Sequence, residues 1–114
     1  MDTNDLVLLY DYYGDLLTER QKECFELRYY QDLSLGEIAS ELGISRQGVH
    51  DNLSRTEALL KNMEAKTGCV ARDQACRKAA ETIRSAANTL CAYPDEAVRL
   101  HAKRIAEAMR ELEE

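Results

Sequence analysis

The chain has 114 residues, 21 of them acidic and 15 basic, which gives a formal net charge of −6 at pH 7. With 45% apolar residues it can bury a core, and its single proline and five glycines exclude the collagen and low-complexity classes. No run of about 18 apolar residues occurs, so we expect no membrane span. The first ten residues carry two aspartates and no lysine or arginine, which is atypical of a signal peptide, and we therefore expect a cytoplasmic protein.

The acidic residues are concentrated at the start of the chain. Residues 1–33 hold eight acids and three bases, residues 34–66 hold five and four, and residues 67–114 hold eight of each. Indiscriminate binding to nucleic acid needs a basic footprint, and the chain as a whole does not supply one. Because the sequence after residue 33 is nearly neutral, a few specific contacts with DNA are not excluded.

The first predicted helix is short and rich in tyrosine. Its apolar side chains recur at i, i+3, i+4 and i+7, which predicts a helix from just after Asn4 to about Tyr13, with Gly14 as its C′ residue. The inward positions are Leu6, Leu9, Tyr10 and Tyr13. We expect most tyrosines of this region to pack between the first two helices, namely Tyr10, Tyr12, Tyr13, Tyr29 and Tyr30.

The second and third helices both begin with a capping-box sequence. Thr18 is followed three residues later by Gln21, and the preceding Leu17 can act as a hydrophobic staple. Ser34 is followed by Glu37 in the same way. The second helix is expected to end near residues 31–32. The inward positions of the third helix are Ile38, Ala39 and Leu42.

A glycine turn separates the third helix from a long fourth helix. Gly43 is the residue that takes the left-handed conformation at least cost, and Ser45 caps the following helix, which runs to about Lys66 and is closed by Gly68. The predicted inward positions of the fourth helix are Val49, Leu53, Thr56 or Ala58, Leu60 and Met63.

The last third of the chain is also predicted to be helical. Residues 70–90 carry a thin apolar stripe, and the Tyr93-Pro94 pair ends the run, with Pro94 as the first residue of a final helix. The stripe of the earlier helix is Cys76, Ala79 or Ala80, Ile83, Ala87 and Leu90. The stripe of the final helix has the spacing 4, 3, 4, 3, which favours a dimer seam made of Val98, Ala102, Ile105, Met109 and Leu112.

The stretch over residues 34–53 has the pattern of a helix-turn-helix. Ala39 is small where two helices cross, Gly43 makes the turn four residues later, and Ile44 and Val49 are apolar where the second helix meets the first. No strand-like alternation follows, so we expect no wing.

The start of the fourth helix supplies the candidate DNA contacts. The first residues of a recognition helix meet base edges, where Arg46 suits guanine and Gln47 suits adenine. Arg55 suits a phosphate, and Ser45 with the helix N-terminus suits another. The full set of candidates is Ser45, Arg46, Gln47, His50, Asp51 and Arg55.

The same helix also favours an alternative without DNA. Residues 45–54 contain one arginine, and Asp51 would repel phosphate unless it accepts a hydrogen bond from a cytosine amine. The alternative hypothesis is a tri-helical fold that binds a protein or RNA partner.

Nothing in the sequence predicts an enzyme, a cofactor or a metal site. The four cysteines contain no C-x-x-C pair, and neither histidine lies at metal-ligand spacing from a cysteine. No nucleophile–base pair or phosphate-binding glycine loop is recognisable. We therefore expect four reduced cysteines packed as small core residues, namely Cys24, Cys69, Cys76 and Cys91.

Two family resemblances follow from these motifs. Region 4 of bacterial σ factors is similar in Leu17-Thr18, Leu27-Arg28-Tyr29, Ser34-Leu35-x-Glu37-Ile38-Ala39 and Ile44-Ser45-Arg46. Residues 9–18 and 45–56 resemble the YlxM family, whose gene usually accompanies the gene for Ffh, the GTPase of the signal recognition particle. The likeness covers about residues 5–68. It implies an all-helical homodimer that regulates the signal recognition particle pathway, acting on DNA or through the particle's protein or RNA.

Residues and resemblance together give one interpretation. We expect an all-α protein with a σ region 4-like helix-turn-helix domain over residues 1–68 and a helical dimerisation arm over residues 69–114. Its function is predicted to be DNA-binding regulation within the signal recognition particle pathway. The alternative is a module that binds components of that particle without DNA.

Overall fold

The computed structural model describes residues 2–113, and all their regular structure is helical, as predicted. No helix in this range is long and apolar enough to cross a membrane. The chain divides into an N-terminal unit ending at Val70 and a C-terminal unit starting at Ala71. A 3-10 turn over Gly14–Leu16 follows the first helix. The helices are α1 (Thr3–Tyr13), α2 (Glu19–Tyr29), α3 (Leu35–Leu42), α4 (Arg46–Thr67), α5 (Cys69–Leu90) and α6 (Glu96–Glu113).

Side-chain caps define the starts of α2 and α3 as the sequence predicts. The Gln21 amide donates to Thr18 Oγ1 at 3.2 Å, and Gln21 Oε1 accepts from the Thr18 amide at 2.9 Å. Ser34 and Glu37 repeat this reciprocal pair at 3.2 and 3.0 Å. Each box satisfies two backbone N–H groups that lack an acceptor within the helix, so both predicted capping boxes are confirmed.

The glycine predicted to end α1 does so by a different mechanism. Gly14 ends α1 as predicted, but with φ −56° it begins the 3-10 turn and does not take the left-handed conformation typical of a C′ glycine. A Cβ atom at this position would lie 3.2 Å from the ring of Tyr10. Glycine therefore suits the close approach of this ring, which would have to shift by a few tenths of an ångström to admit a Cβ atom. The start of α1 is also earlier than predicted, because Asp2 caps it by accepting from the Asp5 amide at 2.9 Å.

The end of α2 also differs from the prediction. The helix stops at Tyr29, and Asp32 takes the left-handed conformation with φ 60°. The Leu33 amide then donates to the Leu27 carbonyl at 3.1 Å, and Arg28 Nη1 donates to the Leu33 carbonyl at 2.9 Å. These bonds hold the connection to α3 in place.

Helix α4 contributes to two apolar clusters in the N-terminal unit. Val49 lies in one and Leu60 in the other, while Thr56 between them is fully buried and Ala58 is exposed. Of the two predicted inward alternatives, Thr56 is therefore the one observed. The first cluster is Leu6, Leu9, Tyr13, Leu17, Phe25, Leu60 and Val70. The second is Cys24, Leu27, Ile38, Ala39 and Val49.

Aromatic rings join α1 to α2 around Phe25. The ring of Tyr10 stacks on Phe25 with centroids 4.2 Å apart, and Tyr29 lies 4.5 Å away on the same ring. Tyr13 is buried, whereas Tyr12 and Tyr30 keep 39% and 49% of their surface exposed. Core packing is thus confirmed for most of the predicted tyrosine cluster.

Three of the four cysteines are not core residues. Cys24 is fully buried on the inward face of α2, but Cys69, Cys76 and Cys91 are exposed, so the prediction for these three is wrong. Cys69 and Cys76 lie on uncovered faces of α5, and Cys91 lies in the turn after it. All four are free thiols.

The C-terminal unit consists of α5 from Ala71 onward and α6. On α5, Ala87 is buried, whereas Ile83 is 45% exposed. The predicted role of Pro94 as the first residue of α6 is wrong. Asp95 is the cap, because its Oδ1 accepts from the amides of Ala97 at 2.8 Å and Val98 at 3.3 Å. Aspartate is among the best N-caps, and Pro94 lies one residue outside it.

Two glycines of α3 and its turn give a matched test of backbone conformation. Gly43→Ala is expected to lose about 1–2 kcal/mol of unfolding free energy, because φ is +68° there although its Cβ would meet no atom within 4 Å. Gly36→Ala is expected to gain up to about 1 kcal/mol, because Gly36 is helical and its Cβ has room. Urea unfolding measures both. Shifts of the same sign would contradict this assignment.

Alkaline pH is expected to destabilise the protein through Tyr10. Burial and the neighbouring Glu26 carboxylate raise the pKa of Tyr10 to about 12. Because the folded pKa exceeds the ordinary value of 10.0, this stabilisation is complete below pH 10 and is lost as the pH rises towards 12. Urea unfolding on either side of pH 10 measures the free energy of unfolding, which should fall less with rising pH in Tyr10→Phe than in the unaltered chain. Equal falls in the two proteins would contradict the raised pKa of Tyr10.

Candidate nucleic-acid interface

Helix α3, the turn after it and α4 form a helix-turn-helix. Gly43 takes the left-handed conformation at φ 68° and ψ 33°, and the Ile44 amide donates back to the Ala39 carbonyl at 3.1 Å. Ile38 and Val49 are both fully buried in the cluster beneath the turn. The left-handed Gly43 and the packing of Ile38 and Val49 in one cluster therefore fix the direction of α4 relative to α3.

All six predicted DNA-contacting residues lie on exposed surface at the start of α4. Arg46 and His50 are four residues apart, as are Gln47 and Asp51, and Arg55 follows four residues after Asp51. At about 100° per residue, Arg46 and His50 form one row and Gln47, Asp51 and Arg55 form a second, and together the two rows cover about half of the helix circumference. The buried side of α4 carries Val49 and Thr56. The fold thus brings the candidates together on a single solvent-facing surface.

Ser45 has a structural role at the end of this surface. Its Oγ accepts from the Gly48 amide at 2.9 Å, which caps α4. The amides of the first helical turn have no acceptor within the helix, so they add positive potential where an anion would approach. A Cβ at Gly48 would lie 3.1 Å from Ser45 Oγ, so a side chain there would press on the cap.

A hydrogen bond crosses the middle of the face. Gln47 Nε2 donates to Asp51 Oδ1 at 2.9 Å, and His50 Nδ1 lies 3.7 Å from the same oxygen. Among residues 2–113, no side-chain hydrogen bond or ion pair engages Arg46 or Arg55. The face therefore presents two available guanidinium groups on either side of a carboxylate that is held by a neighbouring amide.

A shallow groove lies where this face meets α2. It is lined by Arg55, Ala58, Leu59 and Asn62 from α4 and by Gln21 from α2. The sequence pattern did not single out Gln21 or Asn62 as surface residues near the candidate contacts. One turn further, Lys61 Nζ lies 2.9 Å from Glu57 Oε1, so this cation is paired.

The predicted dimer seam on α6 is only partly accessible in one chain. Ala102 is fully buried and Met109 is 6% exposed, while Val98 is half-buried. Ile105 and Leu112 keep 40% and 78% of their surface exposed. A second chain could reach Ile105 and Leu112 without any rearrangement of α6.

The sequence profile of one family, UPF0122, matches residues 1–111, and its description reads "Putative helix-turn-helix protein, YlxM / p13 like". The chain belongs to this family. The match confirms the predicted YlxM resemblance and extends it beyond residue 68 into the C-terminal unit. This description places the chain among helix-turn-helix proteins.

Several curated members of UPF0122 are similar to this chain. A UPF0122 protein of Thermoanaerobacter sp. (strain X514) is 55% identical over 69 residues, covering 60% of this chain and 59% of the relative. A member from Caldanaerobacter subterraneus subsp. tengcongensis is 51% identical over 79 residues, covering 69% and 68%. One from Lacticaseibacillus casei is 47% identical over 88 residues, covering 77% and 76%. The matched segment spans about three fifths of the length of the first relative.

Proposed function

We propose that this UPF0122 chain is a DNA-binding regulator that reads duplex DNA with the N-terminal face of α4. The observation that carries this proposal is that six polar side chains are exposed at the N-terminal end of α4, directly after the helix-turn-helix turn. In a helix-turn-helix, this part of the second helix enters the major groove.

Each candidate has a distinct role in this proposal. Arg46 donates two hydrogen bonds to guanine, and Gln47 pairs with adenine once it leaves Asp51. Asp51 holds the Gln47 amide in the free protein, and His50 lies beside it at the groove edge. Arg55 and the amides that follow Ser45 bind phosphates, which fix the register of the helix on the duplex.

A second candidate function is binding to a protein or RNA component of the signal recognition particle. The observation that favours a protein partner is the Asp51 carboxylate at the centre of the face, together with the chain's net charge of −6. A carboxylate in that position suits a partner's amide or guanidinium better than a phosphate. Both functions place the protein in the bacterial cytoplasm, where DNA and the particle are found.

Selection from a pool of random DNA duplexes tests the first function. The unaltered chain should enrich a defined sequence, and Arg46→Ala/Gln47→Ala should not. Failure of the unaltered chain to enrich any sequence would contradict DNA reading. If purified Ffh or its RNA is then retained equally by the unaltered and double-variant chains, the second function is supported in its place.

We also infer that α6 joins two copies of the chain, through the exposed part of the predicted seam. Sedimentation equilibrium should give about twice the 13.0 kDa chain mass. Ile105→Glu/Leu112→Glu should give the single-chain mass, because it places four charges in the shared apolar surface. Leu100→Glu is a matched control, since Leu100 is 59% exposed but lies outside the seam. A single-chain mass for the unaltered protein would contradict the dimer.

A further inference from the structure

Three cations lie along one face of α6. Arg99, Lys103 and Arg110 are separated by four and seven residues, so they fall within about 40° around the helix axis and span about 16 Å along it. All three side chains are exposed. We call this set the basic stripe.

The basic stripe has no anionic partner within the structure. In the part of the chain from residue 2 to residue 113, no hydrogen bond or ion pair reaches the side chains of the stripe. By contrast, Arg77 on α5 pairs with Asp73 at 2.9 Å. Glu96 precedes Arg99 by three residues and Glu107 follows Lys103 by four, yet neither carboxylate forms an ion pair with the stripe. The three cations are therefore available to an external anion.

Part of the stripe borders a groove. Arg99 and Lys103 line an open cleft of about 700 Å³ between α6 and the turn that precedes it. Its other lining residues are Cys91, Glu96, Ala97 and Leu100. Glu96 is the carboxylate on this rim, and two cations outnumber it. The cleft thus offers a concave, net positive surface into which an anionic group can enter.

The α4 face supplies few cations of its own. The α4 face offers Arg46 and Arg55, which is few for an affinity that depends on phosphates neutralised. Duplex DNA carries a charge about every 1.7 Å of its axis, so a stripe of about 16 Å faces several phosphates. We propose that the basic stripe binds the phosphate backbone of duplex DNA and adds affinity that does not depend on sequence. This rests on the proposed function of α4.

The test compares two double variants of the full chain. Arg99→Gln/Lys103→Gln removes two stripe cations, and Lys78→Gln/Arg104→Gln removes two exposed cations of the same unit outside the stripe. Both change the net charge from −6 to −8. A charge-retaining variant, Arg99→Lys/Lys103→Arg, completes the set. Fluorescence anisotropy measures binding to the selected duplex and to a scrambled duplex between about 50 and 200 mM salt.

The stripe variant should reduce the slope of log affinity against log salt by about 2, because each lost phosphate contact contributes about 0.9. The fall in affinity across that salt range should then shrink about tenfold, equally for both duplexes. The charge-retaining variant should keep the original slope. If the stripe variant and the Lys78→Gln/Arg104→Gln control change the slope equally, the stripe proposal fails while DNA reading by α4 stands. If the unaltered chain binds neither duplex, both proposals fail.

Discussion

Phe25→Ala is expected to lose about 3–5 kcal/mol of unfolding free energy, the cost of removing a large buried ring. Phe25 is 1% exposed, stacks on Tyr10 at 4.2 Å and contacts Tyr29 at 4.5 Å. It is the ring on which α1 and α2 meet. Because small proteins have only about 5–15 kcal/mol of total stability, this loss leaves a substantial unfolded population. Urea unfolding followed by circular dichroism measures it.

Leu16→Ala is the matched control for this effect. Leu16 lies in the same unit and is also a large apolar residue, but it is 72% exposed. Its truncation should change the unfolding free energy by less than about 0.5 kcal/mol. A loss below about 1 kcal/mol for Phe25→Ala would mean that the aromatic contacts do not join α1 to α2.

Arg46→Ala is expected to weaken binding to the selected duplex by about 5- to 150-fold, because a bidentate contact to guanine contributes about 1–3 kcal/mol of discrimination. The loss should be confined to duplexes that carry the contacted guanine. Anisotropy on the selected duplex and on single-base variants of it measures both effects. An equal loss on every duplex would make Arg46 a phosphate contact, and no loss would remove it from the interface.

Asp51→Asn is expected to change affinity in the opposite direction. Removing the carboxylate removes a repulsion of about 1 kcal/mol from a phosphate a few ångströms away, so affinity should rise about fivefold. Glu23→Gln is the control, because it makes the same change in net charge at an exposed position on α2. If Asp51→Asn weakens binding, its carboxylate contacts a base donor. Equal effects in the two variants would show that only total charge matters.

Helix starts and the helix-turn-helix could be predicted from sequence because their causes are local. The capping boxes at Thr18 and Ser34 and the left-handed Gly43 each depend on residues within a few positions. The role of Gly14 could not be predicted in this way, because it depends on the close approach of the Tyr10 ring in the folded chain. Cys76 likewise could not be placed from sequence, because its apolar character does not determine whether another helix packs over it.

The position of the candidate site could be predicted from sequence, and its internal hydrogen bond also had a sequence signal. The exposure of Arg46, Gln47 and Arg55 follows from helical periodicity once the inward residues are known. The bond between Gln47 and Asp51 has the i, i+4 spacing of a known helical pair, so the sequence did contain that signal. On α6, heptad spacing does not distinguish packing within a chain from packing between chains. The heptad spacing therefore did not reveal that Ala102 and Met109 are already buried within a single chain.

Amide chemical-shift mapping of the full chain with the selected duplex tests the central claim most directly. The account predicts that the largest shift changes fall on residues 45–55, at the exposed face of α4. Smaller changes should appear near Arg99 and Lys103 on α6. The central claim would be contradicted if residues 45–55 keep their free-state shifts while saturating duplex is present.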